Sequence, residues 1–270
     1  HPFDVEAINK ALNKEGLVYG AGYGMYLKPT FFVAELRSVR EVSGLTVYTA
    51  GKELVRDLFT SPAMLQEKNV FLRLEPLLVL LLYKHSELNA RRVSILEDAF
   101  AAYGFPHRQI IDAAFEQRME ETALRYSEIL LAHELAEAAE DAPEWKDILS
   151  HAAGDRQAEH FLRAVKDLLA DTSEAGPYKK IIDTRDRGAL GLTISLAEGF
   201  RRVLFPEIKE AFAALSESGD WTAVEQARRT GYERFRSARD EIVGLFRRGG
   251  GRDGFIAAAK EALRKIDVKK

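Results

Sequence analysis

The residues of this chain best suited to chemistry are a histidine and two glutamates in the segment AHELAEAAE. His133 and Glu137 are four positions apart, and Glu134 follows the histidine directly. Side chains that are four residues apart lie on the same face of a helix, so an imidazole and a carboxylate here can reach one ion. This spacing predicts a metal site with nitrogen and oxygen ligands.

A second group of the same residue types follows in the next part of the chain. Its members are His151, Asp155, Glu159 and His160. If the two segments pack as an antiparallel pair of helices, the second group converges with His133 and Glu137. Imidazole and carboxylate ligands suit iron, zinc or manganese. The two groups together therefore predict a divalent metal of one of these three kinds as the cofactor.

The same residues also have a purely structural interpretation. Glutamate and alanine are strong helix formers, and Asp155 follows Gly154 in a position suited to cap a helix. His133 lies at the end of an apolar stripe, where a histidine is commonly a hydrogen-bonded core residue. Glu137 also stands where zinc proteases of the HExxH type have their second histidine, which argues against that class. A core histidine and a metal ligand both remain open.

A second candidate is the arginine-rich helix expected at Arg228–Arg252, which has eight arginines, no lysine and three acidic residues. Arg229, Arg236 and Arg239 can share one face of it. Because arginine binds phosphates and carboxylates through paired hydrogen bonds, these three predict an anion or nucleic-acid site.

Two observations weaken the nucleic-acid interpretation. The chain has an isoelectric point of about 6.2, which argues against a dedicated nucleic-acid-binding protein. Residues 112–167 contain 14 acidic and 6 basic residues. Ion pairs between this acidic segment and the arginine-rich helix explain the arginines equally well.

A third candidate is the run LVYGAGYGMYL at 17–27, in which Gly20, Gly22 and Gly24 alternate with larger residues. Alternation places the three glycines on one side of a strand. A phosphate-binding loop has a helix after its glycines, whereas this run continues into Lys28 and Pro29. We interpret the run as a strand whose bare side is approached closely by another backbone, a helix or a ligand.

The elements that position these residues change type near residue 75. Before it, the patterns predict a helix at 4–15, a strand at 17–27, a hairpin of 30–39 and 45–49, helices at 52–60 and from 61, and a strand at 70–74. After it, apolar periodicity with Gly and Pro breaks predicts helices near 76–87, 89–103, 107–141, 143–153, 155–171, 178–205, 207–217, 220–248 and 254–267.

The predicted fold class is predominantly α, a helical bundle with a small N-terminal β-hairpin or sheet segment (α+β). We expect a small α+β segment at 1–75 and an all-helical domain at 76–270, with one continuous domain as the alternative. The longest apolar run, Leu77 to Tyr83, is too short to span a bilayer. The absence of cysteine excludes disulfides and thiolate metal sites. The chain begins at His1, which leaves a removed leader open.

No intact catalytic motif is present, so the sequence does not decide whether the protein is an enzyme. Its composition, 46% hydrophobic and 30% charged, is that of a globular protein. The leading interpretation is a soluble, cytoplasmic, non-enzymatic protein that binds a protein partner or assembles with itself. The alternatives are a metal-binding protein or metal-dependent enzyme, and an anion or nucleic-acid binder. The leading interpretation predicts an apolar surface patch.

Overall fold

The computed structural model describes residues 1–24, 28–58, 61–90, 94–105, 111–249 and 251–267. In these residues a five-stranded sheet near the N-terminus is followed by a long series of helices. This confirms the predicted fold class, predominantly α with an N-terminal β segment. The contacts divide the chain into two compact units, residues 1–134 (unit 1) and 135–270 (unit 2). The domain boundary between residues 75 and 76 stays a prediction.

Unit 1 is built around the curled sheet. It contains α1 (Val5–Leu12), a 3-10 turn (Asn13–Glu15), β1 (Leu17–Tyr23), β2 (Pro29–Val42), β3 (Leu45–Arg56), β4 (Ala63–Gln66), β5 (Asn69–Arg73), α2 (Leu74–Ala90) and α3 (Ser94–Ala102). The strand order is β1-β2-β3-β5-β4. Only β3 and β5 are parallel, and the other described neighbours are antiparallel. The boundary between the units falls within α4 (Ala113–Ala139).

The hairpin of β2 and β3 is longer than the sequence predicts. Ser43 and Gly44 both have positive φ, 51° and 79°, which suits the tight turn expected between the strands. The predicted helix at 52–60 is wrong, because β3 continues to Arg56 and pairs there with Phe32 of β2. The predicted helix from 61 is also wrong, since 63–66 form β4 against β5. Residues 59 and 60 lie outside the described chain.

The bare side of β1 is filled by side chains from other strands. A Cβ on Gly20 would lie 2.1 Å from the ring of Phe32, and one on Gly22 would lie 1.9 Å from Gln66. The side-chain oxygen of Gln66 also accepts a hydrogen bond from the Tyr23 N–H at 3.2 Å. Because Gln66 belongs to the last strand of the sheet and Tyr23 to the first, this contact closes the curl.

A buried ion pair ties the ends of β3 and β5 together. Arg73 is 1% exposed, and its Nε donates to Glu53 Oε1 at 2.6 Å. Its guanidinium lies 4.5 Å from the centre of the Phe32 ring, and Nη1 donates to the Ser61 carbonyl at 3.2 Å. A buried charge is tolerated only when it is paired and hydrogen-bonded. These contacts therefore hold the segment around Ser61 against the sheet.

Unit 2 is helical in all its described elements. After the end of α4 these are α5 (Trp145–Ala152), α6 (Arg156–Thr172), α7 (Pro177–Thr184), α8 (Arg187–Leu196), α9 (Gly199–Leu204), α10 (Glu207–Ser218), α11 (Thr222–Arg247) and α12 (Gly251–Asp267). Most match a helix predicted from the sequence to within a few residues.

The single helix predicted at 178–205 is wrong, because the chain bends twice there. Arg185 adopts a left-handed conformation, with φ of 50°. The Asp186 side chain then caps α8 by accepting from the Ala189 N–H at 2.9 Å. At the second bend Glu198 is extended and Gly199 has φ of 53°. No glycine or proline marks the first bend, so the sequence carried little signal for it.

The turn between α6 and α7 requires glycine at position 176. A Cβ there would lie 2.1 Å from the Ala170 carbonyl oxygen and 2.7 Å from that of Asp171. Both neighbours are backbone atoms at the end of α6, so they cannot move aside as a flexible side chain could. The start of α7 therefore packs directly onto the last turn of α6.

We expect Gly176→Ala to lower the free energy of unfolding by about 3 kcal/mol or more, because the methyl group forces the two backbones apart. Gly254→Ala is the matched control, since a Cβ at that helical position meets nothing within 4 Å. Helix propensity alone should make the control about 0.5–1 kcal/mol more stable. Urea unfolding of both variants measures the difference, and equal effects would contradict the close approach.

Candidate functional site

The predicted metal ligands lie on three helices and at one helix cap. His133, Glu134 and Glu137 are on α4, His151 is on α5, Asp155 is the N-cap of α6, and Glu159 and His160 are on α6. Throughout the part of the chain that the structure describes, no three His, Asp or Glu side chains form a group that could hold a metal ion.

Several of these residues have partners of another kind. Glu137 forms an ion pair with Lys166, and Glu159 pairs with Arg163 at 3.0 Å. Nδ1 of His151 lies 2.9 Å from the Asp147 carbonyl oxygen. His133, Glu134 and His160 are also engaged in interactions. The metal hypothesis stays a prediction, and binding would require several of these contacts to be exchanged for metal bonds.

Asp155 has the structural role that the sequence suggested as an alternative. Its Oδ1 accepts from the Ala158 N–H at 3.0 Å, which caps α6. The Lys260 ammonium and this N–H bond hold the pKa of the Asp155 carboxyl below its usual range. The predicted cap is therefore confirmed.

The arginine-rich helix is α11, and part of it pairs with the acidic segment. Arg239 lies 3.6 Å from Glu140, and Nε of Arg247 donates to Glu144 at 2.9 Å. Tyr232 donates to Glu140 at 2.9 Å. The expected pairing between the two charged segments is confirmed at these residues.

The remaining residues of the predicted anion site also have neighbours. Nε of Arg229 donates to Glu225 at 2.5 Å, and the Arg236 guanidinium lies 6.0 Å from the centre of the Tyr232 ring. Arg239 is shared between Glu140 and Asp240. Anion binding by Arg229, Arg236 and Arg239 stays a prediction.

Arg228 is the one arginine of α11 that is fully buried among the described residues, with 1% exposure. Nη1 donates to the Thr172 carbonyl at 2.8 Å, and Nη2 donates to Glu174 at 2.8 Å. Nε and Nη2 also donate to the two carboxylate oxygens of Glu225, at 2.8 and 2.9 Å. The bond to Thr172 satisfies a carbonyl in the last turn of α6, where the helix dipole favours a cation.

A small cleft opens beside this last turn of α6. It encloses about 300 Å³, including the part open to solvent. Its apolar walls come from Leu168, Ile194, Ala197, Phe205 and Ile208, and its polar groups from Asp171, Tyr178, Arg201, Arg202 and Lys209. Helices α6 to α10 supply these groups, except for Ala197 and Phe205, which directly follow α8 and α9. A concave apolar surface with a few convergent polar groups is the usual form of a small-molecule site.

Arg201 is anchored at the back of the cleft. Its Nη2 donates to the buried Asp171 carboxylate at 2.6 Å, and Nη1 lies 3.9 Å from Asp167. Burial works against the charge of Arg201, but the two carboxylates outweigh it and raise its pKa. The guanidinium therefore stays protonated, while its buried Nε has no hydrogen-bond partner.

Arg202 and Lys209 lie at the rim of the cleft, and both are exposed. Within the described residues neither side chain has a hydrogen-bond or ion-pair partner. They are not among the site residues that the sequence predicts, since residues 178–205 were expected to form one continuous helix. The adjacent arginines at 201 and 202 were the available signal, but only the bends around α8 bring them to Asp171 and Lys209.

Comparison with protein families assigns both parts of the chain. The N-terminal domain model of a family of unknown function, DUF6866, matches residues 1–73, and the C-terminal domain model matches residues 79–266. The chain belongs to the DUF6866 family. Neither a curated protein nor a solved structure matches it. In this DUF6866 protein no described helix has both the length and the apolar character needed to cross a membrane.

The Glu225–Arg228 contact should make the free energy of unfolding depend on pH in the acidic range. Hydrogen bonds from Arg228, opposed in part by burial, lower the pKa of Glu225 from 4.5 to about 2. A carboxyl whose pKa is lowered on folding stabilises the protein above its unfolded pKa, and this stabilisation is lost as the pH falls through the folded pKa. We therefore expect Glu225→Gln to be less stable than the parent at pH 6, with the difference shrinking from about pH 4.5 downward.

Urea unfolding between pH 6 and pH 3 measures this difference. Because Glu225 is partly exposed and solvent screens the pair, we expect a difference of about 1 kcal/mol at pH 6. Glu233→Gln is the matched control, because Glu233 is an exposed glutamate on the same helix. A parent and a Glu225→Gln variant whose stabilities fall in parallel across this range would contradict the assignment.

Proposed function

We propose that this DUF6866 protein is a non-enzymatic protein that assembles with a second copy of itself through an apolar surface of unit 1. The observation that carries the proposal is the exposed face of α2. Val79, Leu82 and Tyr83 are 60%, 39% and 62% exposed. Leu82 and Tyr83 lie three and four residues after Val79, so all three are on one side of the helix.

The first half of α2 has the composition of a helix covered on all sides. Residues 77–83 are all apolar, and Leu77 and Leu81 are buried on the opposite face. A helix that is apolar all round is normally enclosed by protein. The exposed face of α2 is therefore suited to contact with another protein surface.

The end of β3 extends this surface. The Glu53 N–H donates to the Glu75 carboxylate at 2.6 Å, which places the end of β3 beside the first turn of α2. Leu54 and Val55 follow directly and are 52% and 53% exposed. A stable interface buries about 800 Å² on each partner, which three side chains of α2 do not supply alone. We expect Leu54 and Val55 to be part of it.

The distribution of apolar exposure supports unit 1 as the assembling part. Among the residues that the structure describes, the large apolar side chains with substantial exposure all lie between residues 23 and 124. Contiguous exposed apolar surface is typical of interaction sites. Isolated exposed apolar residues, such as Val39 and Leu124, need no such explanation.

A second copy of the chain is the occupant that the charges favour. Lys84, the cation of α2 next to Tyr83, is 8% exposed and pairs with Glu87 at 3.3 Å. The cation next to Tyr83 is thus balanced by Glu87 and does not select an acidic partner. An uncharged apolar patch is self-complementary, as a two-fold symmetric interface requires.

We expect the parent protein to have twice the mass of one chain in light scattering, and Val79→Lys with Tyr83→Lys to shift it to a monomer. Two ammonium groups facing each other across the interface would have to be desolvated without partners. Lysine is a better helix former than valine or tyrosine, so α2 itself should stay intact. Circular dichroism of the variant checks this point.

Leu124→Lys is the matched control, because Leu124 is 55% exposed on a different helix, α4. The control should keep the dimeric mass. A parent that is monomeric at every concentration would contradict the proposal, and monomeric protein that captures a different protein through α2 would replace the second copy as the occupant. A dimer that persists in the double variant would place the interface elsewhere.

A further inference from the structure

We infer that the cleft beside the end of α6 in unit 2 is a binding site for a phosphate monoester, held by Arg202 and Lys209. This site involves neither α2 nor the self-assembly proposed above. Its cations belong to α9 and α10, whereas the apolar surface belongs to unit 1. Each proposal can therefore fail without the other.

The charges that line the cleft do not balance. Three cations, Arg201, Arg202 and Lys209, face one lining carboxylate, Asp171. Arg201 and Asp171 neutralise each other through their hydrogen bond at 2.6 Å. The exposed Arg202 and Lys209 are left with two positive charges and, in the described chain, no partner. A phosphate monoester is close to doubly charged at neutral pH, so it matches this excess.

Arg201, which lines the cleft, has an unused hydrogen-bond donor. Nε of Arg201 is buried and has no hydrogen-bond partner, although the two Nη atoms face Asp171 and Asp167. Leaving a buried donor unpaired costs about 1–3 kcal/mol, and such groups are rare in folded proteins. Binding of a ligand oxygen to this N–H requires a small shift of the side chain that opens it to the cleft.

The donors favour a tetrahedral anion over a planar one. Arg201 and Arg202 belong to α9 and Lys209 to α10, so their N–H groups approach the cleft from separate backbone positions. A phosphate group offers three strong acceptor oxygens in different directions. A single carboxylate offers two oxygens in one plane, which suits one arginine fork.

The walls of the cleft leave little room for the rest of the ligand. Leu168, Ile194, Phe205 and Ile208 are apolar, and their side chains are buried or nearly so. Its volume of about 300 Å³ includes open solvent, so the enclosed space is much smaller. The rim of the cleft can therefore contact the phosphate group, while the rest of the ligand stays outside the cleft.

Isothermal titration calorimetry on the full chain tests this site with inorganic phosphate as the probe, at constant ionic strength and at a pH above the second phosphate pKa of about 6. We expect the parent to bind phosphate and to bind succinate, a dicarboxylate, more weakly. Arg202→Gln with Lys209→Met removes both rim cations. This double variant should bind phosphate at least about tenfold more weakly, since two charge-assisted hydrogen bonds are lost.

Arg248→Gln with Lys146→Met is the matched control, because both residues are exposed cations elsewhere in unit 2. The control has the same net charge as the double variant, so it should bind phosphate like the parent. Three results would overturn the inference: no phosphate binding by the parent, equal binding by the double variant and the parent, or tighter binding of succinate than of phosphate. Urea unfolding of the double variant verifies that it is folded when it is titrated.

Discussion

The packing of unit 2 depends on the groups that bind the last turn of α6, because this end of the helix lies in the protein interior. Asp171, Thr172 and Ser173 are all buried, so the carbonyl groups and the carboxylate at this end have little access to water. Backbone carbonyls in the last turn of a helix have no partner within the helix, and the dipole makes that end negative. Two arginines from later parts of the chain donate hydrogen bonds here. Arg228 binds the Thr172 carbonyl, and Arg201 binds the Asp171 carboxylate.

The positions of the surrounding helices follow from these two contacts. Arg228 brings α11 against α6, and Gly231, one turn further along α11, has no room for a Cβ because Phe205 and Thr172 lie beside it. Gly176 lets α7 start directly against the last turn of α6. The cleft is what remains between α6 and the bent segment from α7 to α10, so its lining is a consequence of the same packing.

Unit 1 also contains a buried charged group at the end of one of its elements. Arg73 is buried at the end of β5 and is held by Glu53, by the ring of Phe32 and by the Ser61 carbonyl. A buried ion pair adds little net stability, but removing one member leaves an uncompensated charge. The contacts of Arg73 therefore favour one pairing of β3 with β5. The surfaces of the two units differ in character. Unit 1 has exposed apolar side chains, and unit 2 has unpaired cations at a cleft.

The sequence by itself determined the fold class, most helices and the tight turn at Ser43-Gly44. These features depend on local signals: apolar periodicity, helix-breaking glycines and prolines, and residues that tolerate positive φ. It also contained the alternating glycines of β1 and the cap at Asp155. The alternation of glycines in β1 does not predict which side chains pack against them.

Tertiary structure alone decided the remaining features. Residues 52–56 have the composition of a helix, but they form a strand because β2 offers them a hydrogen-bonding edge. The bends at Arg185 and Glu198 have weak local signals and are set by packing against α6. The cleft joins Asp171 of α6 to Arg201 of α9 and Lys209 of α10, with two other helices between them in the chain. Such a site has no sequence spacing to recognise, since its geometry exists only after the helices have packed.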